Sequence, residues 1–374
     1  MRASAVAGIV FANTSDNFLK KLTSRRSMAS VPIAARYRLI DFALSNLVNA
    51  GINSVAIITK ENYRSLMDHV GNGAPWELDR KNGGVYLLPP YLTSGVKRYN
   101  GTVDALYGAR DYVARVSSEY IVLYDAHNLA NIDVASALDN HIERNADISI
   151  VYHKGVVSPD EEHSETMLLK LDSDDNVTAI SFDPEKEEKA NYSLGITIIG
   201  RELLTKLVFD AAEAEKSSFN REVIARKVKN LKIVGFEHKE YVAVMNNTHS
   251  YFNANMDTLK KEVRSQLFNK QRPIYTKTRD DMPTRYGTKS KVKNCSIGDG
   301  CIIEGTVTDS ILFRGVKVAK GAVVSNCILM QETSVGADAQ LSNVIADKNV
   351  TISDKLVLQG SNKKHLYIKK NQIV

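Results

Sequence analysis

Short apolar runs alternate with longer amphipathic segments through the first two-thirds of the chain. The runs have the length of buried strands, and they fall at residues 5–11, 54–59, 120–124, 148–153 and 194–199. Strands that alternate with helices predict an α/β domain with a mostly parallel sheet, covered by helices on both faces. In such a sheet, ligands bind at the carboxyl ends of the strands.

Two of the intervening segments have the spacing of helices. Residues 39–50 carry apolar positions at helical intervals and are followed by Gly51, a residue type that commonly ends helices. Residues 103–115 show a similar pattern before the strand at 120–124. The alternation of strand and helix therefore supports the prediction of an α/β domain.

The pattern changes after about residue 265. Residues 266–290 contain Pro273 and Pro283, mixed charge and few strongly apolar positions, which is typical of a linker between domains. From residue 291 the helical signal is absent. We therefore expect two domains, at 1–265 and 291–374, joined by a linker at 266–290.

The last segment repeats a short unit of an aliphatic residue, a small or acidic residue, and another small or aliphatic residue three positions on. Units begin at Ile297 and Ile303, six residues apart, and again at Val318. This hexapeptide signature predicts a parallel β-helix, in which each coil stacks its aliphatic residues on the next coil. The repeat is broken near Leu312 and Met330, so an ordinary β-rich domain is the alternative.

Composition narrows the classes of protein and partner. The chain has 374 residues, a hydrophobic content of 43% and a formal net charge of +6, which suit a globular protein with an anionic small ligand. The basic residues form no stripe interleaved with aromatics, so we expect no nucleic-acid partner. No apolar run reaches about 18 residues, so we expect no membrane partner.

The first residues and the cysteines bear on location. Arg2 followed by the apolar residues 3–12 could be a signal peptide, but a buried first strand gives the same pattern. The three cysteines, Cys295, Cys301 and Cys327, are sparse and have no metal-binding spacing. We therefore expect a reducing, cytoplasmic location.

Several segments carry motifs of one protein family. Residues 34–46 (Ala-Ala-Arg-Tyr-Arg-Leu-Ile-Asp-Phe-Ala-Leu-Ser-Asn) closely resemble the Gly-Gly-Lys-Tyr-Arg-Ile-Ile-Asp-Phe-Pro-Leu-Ser-Asn motif of bacterial glucose-1-phosphate adenylyltransferases. Residues 99–105, 193–196, 251–257 and 272–276 resemble further motifs of that family, in the family's order. The resemblance therefore covers nearly the whole chain and both predicted domains.

The resemblance implies a nucleotidyltransferase domain of dinucleotide-binding type followed by a left-handed parallel β-helix. The family joins ATP and glucose 1-phosphate into ADP-glucose and pyrophosphate for glycogen or starch synthesis, and its enzymes are tetramers under allosteric control. The matching residues imply a residual nucleotide or sugar cleft, although they could equally serve backbone packing alone. The residues of this residual cleft are Gly101, Thr102, Asp104, Ser193, Leu194 and Gly195.

The catalytic positions of the family are not preserved. Residues 13–19 replace the family's glycine-rich phosphate loop without any glycine, and Phe18 stands where the family has its catalytic arginine. Met28 replaces a lysine, while His127 and Val244 replace two metal-binding aspartates. Magnesium requires oxygen ligands. The comparison with the family therefore implies no catalytic residue, metal or cofactor in this chain, and magnesium only in a catalytic partner.

An intact scaffold with altered catalytic positions favours a regulatory subunit. We expect a heterotetramer with a catalytic paralogue, in which this chain has little or no catalysis of its own. Arg36 and Lys348 match basic effector-binding residues of the family, which implies a sugar phosphate or another anionic effector.

Two other functions stay open at this point. Asp125, two residues from His127, and Asp133 could supply the carboxylates of an active glucose-1-phosphate adenylyltransferase. Hexapeptide β-helices also occur in acyltransferases, which often use a histidine between neighbouring chains. His365 is the histidine of the β-helix region, and it follows the repeats.

Overall fold

The computed structural model describes residues 6–12, 18–89, 99–157, 166–182, 184, 186–362 and 364–374. An α/β domain ends with a helix at Lys261–Leu267, and stacked parallel strands follow from Arg285. This arrangement confirms the predicted fold class, an α/β domain followed by a left-handed parallel β-helix. None of the described helices combines the length and the apolar composition needed to cross a membrane.

The first domain is built on one large sheet with two small ribbons beside it. Its strands are β1 (Val6–Phe11), β2 (Pro32–Ile33), β3 (Tyr37–Arg38), β4 (Ser54–Ile58), β5 (Gly84–Leu88), β6 (Tyr120–Asp125), β7 (Asn128–Ala130), β8 (Ile148–Val157), β9 (Met167–Leu171), β10 (Val177–Phe182), β11 (Glu188–Gly200), β12 (Ile233–Glu237) and β13 (Val242–Val244).

Helices cover both faces of this sheet. They are α1 (Lys20–Thr23), α2 (Leu39–Asn49), α3 (Arg64–Val70), α4 (Thr102–Gly108), α5 (Arg110–Arg115), α6 (Val134–Glu143), α7 (Arg201–Glu213), α8 (Thr248–Asp257) and α9 (Lys261–Leu267). Short 3-10 turns lie at Met28–Ser30, Ala74–Trp76 and Ala225–Lys227, and a π-helical turn lies at Phe219–Ile224.

The order of strands in the large sheet is β10-β9-β11-β6-β1-β4-β5, with β8 between β11 and β12. Strands β6, β1, β4 and β5 are parallel neighbours, whereas β11 runs antiparallel to β6. The carboxyl ends of the four parallel strands therefore meet at one edge of the sheet. This edge is where the sequence analysis expects a ligand.

The predicted helix at 103–115 is two helices, so that prediction was wrong in one respect. Helix α4 ends at Gly108, and α5 begins at Arg110. A Cβ atom at Gly108 would lie 2.7 Å from the Tyr99 hydroxyl oxygen, which is too close. Gly108 therefore allows Tyr99 to pack at the break, and this tertiary contact has no signature in the local hydrophobic pattern.

Polar side chains of α2 explain much of the motif at 34–46. Asn46 Nδ2 donates a hydrogen bond to the Tyr124 hydroxyl at the end of β6, at 2.8 Å. Asn49 Nδ2 donates to the backbone oxygen of Pro273, at 3.0 Å. One helix is thus bonded both to the sheet and to the segment that leads into the second domain, so the motif has a structural role.

The second domain consists of three parallel sheets with five strands each. One sheet contains β14 (Arg285–Tyr286), β17 (Ile302–Ile303), β20 (Lys317–Val318), β23 (Ser334–Val335) and β26 (Thr351–Ile352). The second contains β15 (Lys291–Lys293), β18 (Thr306–Thr308), β21 (Val323–Ser325), β24 (Gln340–Ser342) and β27 (Val357–Gln359). The third contains β16 (Ser296–Ile297), β19 (Ile311–Leu312), β22 (Ile328–Leu329), β25 (Val344–Ala346) and β28 (Leu366–Ile368).

The coils of this β-helix explain why the hexapeptide repeat is imperfect. Ile311 pairs with Ile328, and Ile328 pairs with Ile345, so these coils take 17 residues each. Val318, Val324 and Leu329 belong to the same buried cluster inside the coils; the first two are six residues apart, whereas Leu329 follows Val324 after five. The third side is therefore one residue shorter in these coils, and this shortening interrupts the six-residue period near Leu312 and Met330.

The stacked strands begin earlier than the predicted boundary at residue 291. Strand β14 already pairs with β17, and it lies inside the range 266–290 that the sequence assigned to the linker. Arg285 and Tyr286 are both exposed, so β14 has no buried position that the sequence pattern would reveal.

A shared apolar core joins the two domains. It contains Phe42 and Tyr251 from the first domain together with Phe313, Ile328 and Ile345 from the β-helix. These side chains point out of the coils toward α2 and α8, so the first domain covers one face of the β-helix.

One buried ion pair crosses this apolar interface. Arg26 Nη2 lies 2.6 Å from Asp347 Oδ1, and the two side chains are 3% and 4% exposed. The Tyr367 hydroxyl donates to the other carboxylate oxygen of Asp347, at 2.7 Å. Burial of a charge is tolerated only when its partners are in place, so these three residues fix the position of one domain on the other.

We expect the Arg26→Met variant to lower the free energy of unfolding by about 3–5 kcal/mol, because Asp347 then stays buried without its partner. Urea and thermal unfolding of the purified chain measure this change. Arg80→Met is the matched control, since the Arg80–Glu77 pair is largely exposed and such pairs contribute about 0–1 kcal/mol. Equal effects of the two substitutions would contradict the structural role of the buried pair.

Candidate functional site

A small pocket lies at the carboxyl ends of β1 and β4. It has a volume of about 170 Å³ and is lined by the ends of these strands, by the start of α4 and by the backbone near Ser217. Phe11, Ile58 and Lys60 form one side, and Gly101 and Thr102 form the other. Of the six residues predicted for the residual cleft, Gly101 and Thr102 line this pocket, whereas Asp104, Ser193, Leu194 and Gly195 are not part of its lining.

The residues at the start of α4 have clear packing roles in this pocket. A Cβ atom at Gly101 would lie 2.2 Å from the backbone oxygen of Ser217, so the close approach of these segments requires glycine. Thr102 Oγ1 accepts a hydrogen bond from the backbone N–H of Phe219, at 2.8 Å. Asp104 accepts one from the backbone N–H of Asn100, at 3.0 Å. Gly101 and Thr102 thus line the pocket and also hold its wall together.

The other predicted cleft residues form a bulge in β11. The pairing of β11 with β8 shifts between Ser193 and Ile196, and Gly195 adopts a left-handed φ of 69°. A Cβ atom at Gly195 would lie 2.7 Å from Asp125 Cβ. Leu194 is buried, and its backbone oxygen accepts a hydrogen bond from Asn128 Nδ2 at 2.9 Å. The bulge therefore packs directly against the end of β6.

Asp125 and His127 form a pair at the end of β6. His127 Nδ1 lies 2.9 Å from Asp125 Oδ1, and the side chains are 16% and 21% exposed. Burial alone would lower the pKa of His127, but the charge of Asp125 and its hydrogen bond outweigh burial and raise the pKa. The pair therefore stabilises the protonated form of His127 relative to a buried histidine without a neighbouring carboxylate.

Three of the four altered family positions lie near one another. The Phe18 ring meets the His127 ring edge to face, with centroids 6.4 Å apart and an interplanar angle of 85°. Val244 lies opposite Asn128, the residue after His127, in the pairing of β13 with β7. Residues 13–17, the remainder of the expected phosphate loop, lie outside the described residues.

Met28 lies elsewhere, in the apolar core between the domains. It is 1% exposed and belongs to the same cluster as Phe42 and Phe313. A lysine at this position would bring a charge into that core, so methionine suits the packing. Met28 therefore differs from the other three altered positions in being a member of this core.

The side chains around His127 do not suit magnesium. Magnesium takes oxygen ligands in near-octahedral geometry. Val244 offers no ligand atom, His127 offers nitrogen, and the carboxylate of Asp125 is already paired with His127. The expected family metal therefore has no fitting set of ligands among these residues.

A second groove lies between the domains, at Arg36. Its volume is about 180 Å³, and its lining includes Arg36, Arg264 and the backbone at Ser296 and Gly298. Asp299 also lines this groove. Two arginines thus line a small space between the α/β domain and the first coils of the β-helix, and the guanidinium of Arg264 donates to the backbone oxygens of Thr258 and Leu259.

Lys348 lies in a different part of the same interface. Burial, together with the nearby charges of Arg38 and Arg26, lowers the pKa of Lys348 to about 7. Arg38 is itself affected, because burial lowers its pKa to about 10. Several cations are therefore crowded together where the chain passes from Asp347 into the next coil.

The two predicted effector residues do not share one pocket, but further cations lie between them. The charge of Arg279 acts on both Arg314 and Arg38, while Arg36 acts on Arg314. We call Arg36, Arg314, Arg279, Arg38 and Lys348 the cationic seam. It follows the interface of the two domains.

Arg314 is a member of the cationic seam that the sequence did not identify as a functional residue. It is 7% exposed, and its Nε lies 3.6 Å from Asp281 and 3.8 Å from Asp299. An arginine directly after the buried residues Leu312 and Phe313 of a hexapeptide repeat is a signal that could have revealed it, because such positions are usually apolar.

Comparison with known proteins agrees with this architecture. Residues 8–261 match the nucleotidyl transferase family, and residues 281–367 match the GlmU-like C-terminal hexapeptide family. The chain is 34% identical over 367 residues to the glycogen biosynthesis protein GlgD of Bacillus subtilis (strain 168). The aligned region covers 98% of this chain and 96% of that relative. It is 32% identical over 345 residues to the glucose-1-phosphate adenylyltransferase of Bacillus mycoides (strain KBAB4), with 91% of each covered.

The fold and the match over residues 8–261 place the chain in the nucleotidyl transferase family. Together with the two relatives, they show that it belongs to the glucose-1-phosphate adenylyltransferase family. The resemblance found in the sequence motifs is thereby confirmed.

The state of the Asp125–His127 pair can be measured. We expect the Asp125→Asn variant to lower the pKa of His127 below its ordinary value near 6.5, because burial then acts without the opposing carboxylate. NMR titration of the histidine ring signals measures this change. In the wild type the shift is upward, so the stability from the pair is present at low pH and is lost as pH rises through the raised pKa.

Asp133→Asn is the control for this titration, because Asp133 caps α6 by accepting from the backbone N–H of Ser136. That substitution should leave the pKa of His127 unchanged. If both variants gave the same His127 titration, the pairing with Asp125 would be refuted.

Proposed function

We propose that the chain is a regulatory subunit of glucose-1-phosphate adenylyltransferase in glycogen biosynthesis, with little or no catalysis of its own. It assembles with a catalytic paralogue into a heterotetramer and modulates that paralogue's synthesis of ADP-glucose and pyrophosphate from ATP and glucose 1-phosphate. The observation that carries this proposal is the contact of Phe18 with His127 beside Val244, at the end of β6.

The chemistry of the family explains why these positions matter. Attack of a sugar phosphate on ATP releases pyrophosphate, so positive charge is needed near the phosphates. Phe18 and Val244 provide none, and His127 is paired with the carboxylate of Asp125, which offsets the positive charge of its protonated form. Loss of even one electrostatic group typically reduces the rate by about 10²–10³. We therefore infer that the chain turns over at most slowly.

An anionic effector is proposed for the cationic seam. Arg36 lines the groove between the domains, and the buried Arg314 lies 3.8 Å from Asp299 of the same lining. Lys348 lies farther along the seam, where burial and neighbouring cations oppose its charge. An anion such as a sugar phosphate would relieve this repulsion, and it would contact both domains at once.

The active-enzyme alternative finds little support in the geometry. It needs Asp125 and Asp133 as metal ligands, but Asp125 is paired with His127. Asp133 caps α6 and lies 3.4 Å from Arg272. Both carboxylates therefore already have structural partners.

The acyltransferase alternative depends on His365. The His365 ring stacks on Phe252, with centroids 3.7 Å apart. Its Nε2 lies 3.2 Å from His249 Nδ1. His365 is thus packed against α8 of its own chain, which does not favour a catalytic role between neighbouring chains.

We expect no significant release of pyrophosphate from ATP, glucose 1-phosphate and magnesium by this chain alone. A mixture with the catalytic paralogue should show a changed rate or a changed effector response relative to the paralogue alone. A coupled pyrophosphate assay measures both, and an unrelated protein at equal concentration is the control. Robust turnover by the chain alone, or an unaltered paralogue, would reject the proposal.

Sulfate binding tests the cationic seam, because sulfate keeps its charge near neutral pH. We expect sulfate affinity to fall up to about tenfold between about pH 6 and pH 8, since Lys348 loses its proton as pH rises through its pKa of about 7. Isothermal titration calorimetry with the full chain measures this change.

Substitutions separate Lys348 from its neighbours in this titration. Lys348→Arg keeps its charge and should flatten the pH dependence, whereas Lys348→Met should bind weakly at both pH values. Lys320→Met, at an exposed lysine of the β-helix, is the control and should behave as the wild type. A pH dependence that survives Lys348→Met would exclude Lys348 as its origin.

A further inference from the structure

A pocket larger than the two described above runs along the edge strand β5, from the amino ends of β1 and β4 at Val6 and Ser54 to Leu88 at the end of β5. Its volume is about 540 Å³, compared with about 170 Å³ for the pocket at Gly101. Pockets of about 300–1,000 Å³ are typical of small-molecule sites. We call this space the edge groove, because it lies between α5 and the edge strand β5 and is lined by Ser54, Tyr86, Tyr112 and Arg115.

The edge groove is distinct from the candidate site described above. Ser54 begins β4 and lines the edge groove, whereas Ile58 ends β4 and lines the cleft pocket. The rise along β4 from Ser54 to Ile58 is about 13 Å. The two spaces share no lining residue, and they approach each other where Leu88 of the edge groove pairs with Ile58 of the cleft pocket.

A pair of tyrosines forms an aromatic surface in the edge groove. The Tyr86 ring is 40% exposed, and its centroid lies 5.4 Å from that of Tyr112 at an angle of 55°. Tyr112 is buried, and its hydroxyl lies 3.0 Å from Ser54 Oγ. Because Tyr112 is held by burial and by its contact with Ser54, it keeps the exposed ring of Tyr86 in position before any ligand binds.

The rest of the lining is rich in uncharged polar groups. Asn53 and Asn82 bring amides, and Ser117 and Ser118 bring hydroxyls. These groups both donate and accept hydrogen bonds. A ligand that matches them must itself present many groups that donate and accept, next to an apolar surface for the ring of Tyr86.

The charges of the edge groove do not favour a phosphate. Lys81 and Arg115 line it, but both are exposed, and the carboxylate of Asp111 lies in the same lining. Exposed cations contribute little to affinity because water screens them. This contrasts with the cationic seam, where Arg314 is 7% exposed.

We propose that the edge groove binds a neutral carbohydrate, with one sugar ring lying on Tyr86. The C–H groups on the face of a sugar ring are attracted to the negative face of an aromatic ring, while its hydroxyls bond to amides, hydroxyls and carboxylates. Carbohydrate binding in the edge groove does not depend on the proposed regulatory function.

Calorimetry with the full chain and two uncharged probes tests this proposal. Maltoheptaose represents an α-glucan, and cellohexaose represents a β-linked glucan of similar composition. We expect binding of at least one probe, with affinity that changes little between about 0.05 M and 0.5 M salt. Preference for maltoheptaose would assign an α-glucan as the source, and preference for cellohexaose a β-glucan.

Variants locate the binding. Tyr86→Ala should reduce the affinity about tenfold or more, whereas Tyr86→Trp should retain it, because an aromatic face is preserved. Tyr275→Ala is the matched control, since Tyr275 is also 40% exposed but lies outside the edge groove. Absence of binding to both probes, or binding unaffected by Tyr86→Ala, would overturn the proposal. Competition by ATP that weakens with salt would instead indicate an anion site.

Discussion

The buried pair of Arg26 and Asp347 is the interaction on which the arrangement of the two domains depends. Apolar side chains such as Phe42 and Phe313 provide the area of the interface, but apolar packing alone tolerates small displacements. A buried charge does not, because any displacement leaves it unpaired in a medium of low polarity. The pair thus fixes the register between the β-helix and the α/β domain, and the cationic seam lies along the interface that it fixes.

The cleft shows how residues that shape the backbone persist beside side chains that differ from those of the family. Gly101 allows the backbone at Ser217 to pass, and Gly195 makes room for Asp125, so a side chain at either position would disturb the fold. Phe18 and Val244 carry no such constraint, since an apolar residue can fill the space that a charged group leaves. Residues that shape the backbone therefore remain like those of the family, whereas residues that only supplied charge do not.

Sequence reasoning found the elements whose signal is local. The buried strands β1, β4 and β6 and the helix α2 follow from apolar spacing, and the β-helix follows from its repeat. It did not find contacts between distant segments, such as Tyr99 at the α4–α5 break or the pairing of Arg26 with Asp347, because no local pattern encodes them. It also missed β14, whose residues are exposed and paired only through the backbone. The cleft residues were predicted from the resemblance to the family. Their packing roles became visible only in the three-dimensional structure.

The coil of 17 residues has a consequence for how the length of this chain can change in evolution. Loss or gain of a whole coil preserves the stacking within the β-helix, so the repeat itself tolerates it. However, each coil adds about 4.8 Å along the axis of the β-helix. A coil gained or lost before Asp347 would therefore move its carboxylate out of reach of Arg26. Insertions and deletions of coils are therefore expected after β28 rather than before it, and lineages of this family should share the number of coils that precede Asp347.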